Sequence, residues 1–338
     1  MPEIEKNFRK LMIKIGIAML VFVAAFEVLV MVSLTVDEIL AVTLEDQVIK
    51  NTVSQLFYGL MYATAFTVSA ILLAQMTKKD KQPLIKKVAL PKETVLYIFV
   101  GIAAVLSFAY INDLILSPFN SGDVIIDDSW KESYNEPYKV ILQLITTAVA
   151  PGIFEELMFR GVMLAKLRPY GKTPAILISA LMFSLMHQNA AQFLYAFAAG
   201  IVLGWVATET GSLLCCMLIH FSNNALSVLT QAAQVNMSYE IHSIVFYSLD
   251  FLIILFGAVS LIILAYSYYK KKKKRENDFS AGMFGRELVL QTDGGDFAIP
   301  AKKAVKLFFA PSVIVFICIA MVQVALILIL TALGFSLI

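Results

Sequence analysis

Charge is what this chain is short of. Asp, Glu, Lys and Arg make up 15% of its 338 residues and apolar residues 59%, where a soluble domain runs near 25% and 45–50% respectively. The mean hydropathy is +0.78. That balance excludes an ordinary soluble enzyme and implies a polytopic membrane protein whose length suits one membrane domain. Histidine is scarcer still, with three: His187, His220 and His242. Cysteine is nearly missing, and Cys215, Cys216 and Cys318 all lie in apolar runs. They read as small packing residues rather than a disulfide framework; neighbours on a helix point about 100° apart, which disfavours a Cys215–Cys216 bridge. No nucleic-acid module is visible, so the expected surroundings are a lipid bilayer and a membrane-associated partner. The first apolar run, Ile15 to Leu34, exceeds the roughly 7–15 residues of a signal-peptide core and lacks a convincing cleavage site, so it reads as a retained helix.

About 20 apolar residues cross a bilayer. Candidate spans fall at 13–34, 52–76, 94–116, 140–167, 173–188, 190–208, 213–230, 244–269 and 306–335, with 173–188 and 190–208 short for full crossings. The expectation is an all-α polytopic transmembrane bundle of about nine helices around an intramembrane cavity. Its parts are N-terminal helices at 1–139, a core at 140–230, a further span with a basic stop at 231–275, a cytoplasmic linker at 276–303 and an accessory helix at 304–338. Basic clusters (Lys6, Arg9 and Lys10; Lys78 to Lys92; Lys166, Arg168 and Lys172; Lys270 to Arg275) alternate with the acidic stretches Asp37 to Asp46 and Asp123 to Glu136. Because Lys and Arg mark the cytoplasmic side, the N-terminus is expected inside.

Against that background stands Phe154-Glu155-Glu156-Leu157-Met158-Phe159-Arg160, two carboxylates and an arginine within an apolar run. Ionisable residues at membrane depth are costly and mark function by default. Glu156 and Arg160 are four apart and share a helix face, whereas Glu155 is turned about 100° away. One carboxylate is then tied to arginine while its neighbour faces a cavity. Two more polar pairs have the same spacing: Phe183 with His187, and His220 with Asn224. At about 1.5 Å of rise per residue, all three segments place their polar groups roughly 18–21 Å from the inner boundary. Pro151-Gly152, just upstream, is expected to kink or restart its helix and let water reach Glu155. His242 reads as an outer-loop residue, and Glu27, Asp113 and Asp250 as interfacial or interhelical polar contacts.

Peptide hydrolysis needs an activated water, a proton for the leaving amine and donors for the oxyanion. Glu155 suits the base and His187 a partner in proton transfer. His220 and Asn224 suit the oxyanion hole, with Glu156 and Arg160 fixing the geometry and Phe183 lining the cavity. The pattern Glu155-Glu156-x-x-x-Arg160, Phe183-x-x-x-His187 and His220-x-x-x-Asn224, with Phe159-Arg160-Gly161 and Thr210-Gly211-Ser212-Leu213, resembles the CPBP family of CAAX proteases and bacteriocin-processing enzymes, also called Abi proteins, over residues 140–230. The resemblance implies a glutamate-dependent intramembrane endopeptidase that uses Glu155 and His187 on water and His220 and Asn224 on the oxyanion. No cofactor is expected. Zinc on two histidines and a carboxylate is the alternative, and a non-proteolytic scaffold or bacteriocin-immunity protein is the alternative of another class. In a bacterial plasma membrane, leader peptides, bacteriocins or peptide pheromones are better substrates than prenylated CAAX proteins.

Overall fold

The computed structural model describes residues 2–78, 94–117, 128–280, 299 and 301–332. The chain folds as helix after helix: α1 (Glu3–Thr43), α2 (Gln47–Met76), α3 (Thr94–Leu116), α4 (Pro137–Tyr170), α5 (Lys172–Met186), α6 (Ala190–Thr210), α7 (Leu213–Asn236), α8 (Tyr239–Ser280), α9 (Ala301–Phe308) and α10 (Pro311–Ala332). Among the described residues, seven of these are long and apolar enough to cross a bilayer: α1 to α4 and α6 to α8. Their outer surfaces leave large apolar side chains uncovered, such as Leu60, Phe251 and Ile262, and only 11% of the apolar window of α8 is buried by the rest of the protein. An all-α polytopic membrane bundle accounts for that surface; water would not tolerate it.

Local chemistry sets the helix ends. Asp46 caps α2, its Oδ1 accepting from the amides of Val48 (2.8 Å) and Ile49 (3.1 Å). Asn189 caps α6 through the Ala191 amide at 2.9 Å. Gly211 ends α6 in the left-handed region at φ 63°, which a residue without Cβ adopts freely, and Ser212 then caps α7.

Three expectations are corrected. The run at 173–188 gives a 15-residue helix, α5, below spanning length; it stops because Gln188 takes a positive φ of 51°. The last span is two helices bent by 72°, broken at Phe309 and Ala310, since Pro311 disfavours helix in the residue before it and cannot extend one from it. His242 lies within α8, stacked on Phe246, not in a loop. Most of the linker at 276–303, the loop residues Lys79 to Lys92 and the acidic residues up to Asp127 fall outside the described residues, while 276–280 continue α8. Glu27 and Asp250 do make interhelical contacts, to Gln323 and Tyr110.

The bundle has two chemically distinct ends. Phe8 packs edge-on against Tyr170 with centroids 5.0 Å apart, Lys172 pairs with Glu209, and Lys303 pairs with Glu5 at 2.6 Å. These contacts collect the start of α1, the α4–α5 and α6–α7 turns and α9 at one end. At the other, Asn51 reaches Tyr138 (3.3 Å), Asn112 the Ala191 carbonyl (3.2 Å) and Asn236 the Tyr134 carbonyl (2.8 Å). α4 packs between α2 and α7, α5 against α6, and α10 against α1, away from α4.

Candidate active site

The glutamates sit on α4, which runs past Pro151 without restarting; two widened, π-type stretches, Leu144–Val149 and Leu157–Leu164, flank Ala150–Glu156. The reason is visible at Pro151. In a regular helix the Thr147 carbonyl accepts from the amide of residue 151, and proline has none. Asn224 of α7 takes the vacancy, donating Nδ2–H to that carbonyl at 3.0 Å. Wide turns of this kind gather at functional positions.

The two carboxylates are divided as their angular offset requires. Glu156 is fully buried, and its Oε1 accepts from Arg160 Nη1 at 2.6 Å and from His220 Nδ1 at 2.9 Å. Arg160, also fully buried, donates from Nη2 to the Gly200 carbonyl at 3.3 Å and lies 4.5 Å above the Phe183 ring. Glu155 instead lines the cavity. Its Oε1 accepts from the Tyr62 hydroxyl of α2, and its Oε2 has no protein hydrogen-bond partner although the residue is only 3% exposed. That oxygen lies 3.8 Å from His220 Nε2.

His187 stands at the C-terminal end of α5. The last turn tightens so that the His187 amide bonds to the Ser184 carbonyl, leaving the Phe183 carbonyl to the His187 ring, Nδ1 to O 2.9 Å. Because a carbonyl only accepts, Nδ1 carries the proton and Nε2 is left for the cavity. The same logic fixes Nδ1–H of His220 on Glu156. Phe183 packs edge-on against both imidazoles, at 4.9 Å and 5.9 Å.

Glu155, Phe183, His187, His220, Asn223 and Asn224 thus share one cavity of about 840 Å³. Glu156 and Arg160 lie behind it. Among the described residues, the imidazole within ion-pair distance of Glu155 is that of His220, not His187. Sequence reasoning missed Tyr62, Tyr195, whose hydroxyl donates to Asn223 at 2.7 Å, and the role of Pro151 in freeing a carbonyl. The four-residue spacing of Tyr58 and Tyr62 on an apolar span was the available signal for the first.

Among the described residues no three His, Cys, Asp or Glu side chains are arranged to hold a metal ion.

The family model described as type II CAAX prenyl endopeptidase Rce1-like matches residues 137–226. No curated protein and no solved structure matches the chain. The matched stretch starts at the first residue of α4 and ends two residues beyond Asn224, so it takes in all three polar motifs and the helices that carry them. Residues 137–226 are thus similar to the type II CAAX prenyl endopeptidases of the Rce1-like family, and all three polar motifs lie within that stretch.

Proposed function

We propose that the protein is an intramembrane endopeptidase in which Glu155 activates water. The observation that carries this is the division of labour between adjacent carboxylates: Glu156 is tied through Oε1 to Arg160 and His220 and lies behind the cavity, while Glu155, held by Tyr62, lines it. In this reading the nucleophile is a water held by Glu155 Oε2, the oxygen 3.8 Å from His220 Nε2. Glu155 takes a proton from that water as its oxygen attacks the scissile carbonyl. The same proton passes to the leaving amine when the tetrahedral intermediate collapses. His187, with Nε2 free, holds the water or the amine from the α5 side.

Charge balance assigns His220. Glu155 and Glu156 carry two negative charges and Arg160 one positive, and buried charges persist when paired. An imidazolium at His220 neutralises the cluster and supplies Nε2–H to the developing oxyanion. The second amide hydrogen of Asn224, the one not donated to Thr147, is the other donor. Removing one such donor typically costs about 10²–10³ in rate.

Comparison of peptides released from membranes carrying the wild type or Glu155→Gln tests the reading. Gln keeps the shape and the Tyr62 contact but cannot take the proton. Products should vanish while the protein still folds; undiminished cleavage removes Glu155 from the mechanism. A cellular effect that survives in Glu155→Gln/His187→Ala points to a binding scaffold instead.

A further inference from the structure

We infer that the cavity opens on the non-cytoplasmic face of the membrane and takes its peptide from that side: the substrate is the juxtamembrane stretch of an exported or outward-facing membrane-anchored polypeptide. The peptide identity rests on the endopeptidase reading above; the sidedness does not.

The lining residues are one-sided about Glu155. On α4 they run from Thr146 to Glu155 and stop there, with fifteen residues of helix continuing to Tyr170. On α7 they begin at Ile219, two turns after Leu213, and run outward to Gln231. On α3 they occupy Val105 to Asp113, the half away from Thr94, and on α2 they stop at Phe66, well before Met76. These four helices therefore open toward the end that holds the Asn51–Tyr138 and Asn236–Tyr134 contacts. Toward the other end the path is plugged. Phe66, Met158, Phe159, Met163 and Leu164 are all fully buried there, and Phe159 is wedged between Phe66 and Phe183, with centroids 6.5 Å and 5.3 Å away.

The plugged end is the basic one. It carries Lys6, Arg9 and Lys10 on α1, Lys166, Arg168 and Lys172 around the α4–α5 turn, and Lys270–Lys273 on α8. The open end carries Asp37, Glu38, Glu45 and Asp46 at the α1–α2 turn and Glu132 and Glu136 before α4, with Lys50, Lys131 and Lys139 as its cations. Lys and Arg near span ends are retained on the cytoplasmic side, so the mouth faces outward.

The inner wall suits an extended backbone. His220, Asn223, Asn224, Ser227, Thr230 and Gln231 all line the cavity at spacings that keep them on one face of α7. From His220 to Gln231 they form a ladder of amide and hydroxyl groups about 16 Å long, the length of about five extended residues. Such a ladder offers both donors and acceptors to main-chain N–H and C=O groups irrespective of side-chain identity.

The test uses the full chain with Cys318 replaced by Ser, because Cys215 and Cys216 are buried and Cys318 is exposed. Gln231→Cys and Ser227→Cys are introduced singly, with Lys172→Cys as the marker for the basic end. A membrane-impermeant maleimide on intact cells should label Gln231→Cys and Ser227→Cys, and an external blocker applied first should abolish that label. Lys172→Cys should label only after permeabilisation. Labelling of the two cavity positions only from the cytoplasmic side, or from neither side, overturns the inference. Repeating the measurement in Glu155→Gln keeps sidedness separate from turnover: an unchanged pattern with no cleavage leaves the orientation standing, whereas outward labelling with undiminished cleavage sinks only the catalytic assignment.

Discussion

The hydroxyl of Tyr62 on α2 donates to Oε1 of Glu155 on α4, ninety-three residues further along the chain. This contact holds the carboxylate by one oxygen and leaves the other without a protein hydrogen-bond partner. Tyr62 is itself packed at 4.9 Å from Phe66 and 6.2 Å from Phe26, so aromatic contacts from α1 and α2 fix the hydroxyl. Helices outside the Rce1-like stretch thereby position a side chain inside it.

Tyr62→Phe should therefore lower cleavage without removing it. The ring and its packing remain, but Glu155 loses its anchor and can rotate; a misplacement near 1 Å costs up to about 10²-fold in rate. The lost bond also leaves a buried acceptor unpaired, at about 1–3 kcal/mol of stability. Initial rates in proteoliposomes and thermal unfolding in detergent measure the two effects separately. A rate equal to wild type would show that Glu155 needs no anchor from α2.

A different outcome is expected at Arg160. Its guanidinium and the Glu156 carboxylate are both wholly buried, and removing one partner of such a pair costs about 3–5 kcal/mol because the other charge is stranded. Arg160→Met should sharply reduce folded yield. Glu156→Gln/Arg160→Met removes both charges and should recover much of that stability, yet stay inactive, because His220 Nδ1–H then has no carboxylate to hold it. Unfolding midpoints of the single and double variants decide this; equal losses in both would mean that the pair is not coupled.

How much of this could be read from the residues follows a physical line. Spacing of four on an apolar run located Glu156 with Arg160, Phe183 with His187 and His220 with Asn224, because helix geometry is periodic and charge in lipid is rare. It also separated the carboxylate that lines the cavity from the one tied to Arg160. It did not show which imidazole faces Glu155, since that depends on the relative rotation of α5 and α7. Nor did it show Tyr62, whose partner is distant in sequence. Pro151 read as a break, because the missing amide is local and obvious; the Asn224 side chain that satisfies the freed carbonyl comes from another helix. The break that was not foreseen, at Phe309 and Ala310, has the same local cause at Pro311.

Close packing makes Gly200 a further test. A Cβ there would lie 2.9 Å from both Cα and Cβ of Ala180, so α5 and α6 approach through a small-residue contact of the kind that membrane helices use. The Gly200 carbonyl also receives Arg160. Gly200→Leu should force the helices apart, moving Phe183 and His187 from the cavity and costing more than the about 1–3 kcal/mol usual for overpacking. The expected result is loss of monodisperse protein on detergent extraction. Gly200→Ala should show a milder loss, which Ala180→Gly relieves only in part because the contact with the Ala180 Cα remains; monodisperse Gly200→Leu protein would place the constraint elsewhere than at this crossing.

Asn224 has two amide hydrogens, one bonded to Thr147 and one proposed for the oxyanion, and Pro151 allows the two roles to be separated. One hydrogen holds the Thr147 carbonyl that Pro151 leaves open; the other is assigned to the oxyanion. Asn224→Ala should lose both, lowering kcat by about 10²–10³ with little change in KM, since an oxyanion donor acts in the transition state and not on bound substrate. Pro151→Ala restores an amide that can satisfy Thr147 within α4, so Asn224 is released from that carbonyl but kept in the cavity. Its kcat should fall far less than that of Asn224→Ala. If the two variants lose activity equally, Asn224 serves only to tie α7 to α4 and the second oxyanion donor must be sought among its neighbours, beginning with Asn223, which donates to Asn224 Oδ1 at 3.0 Å.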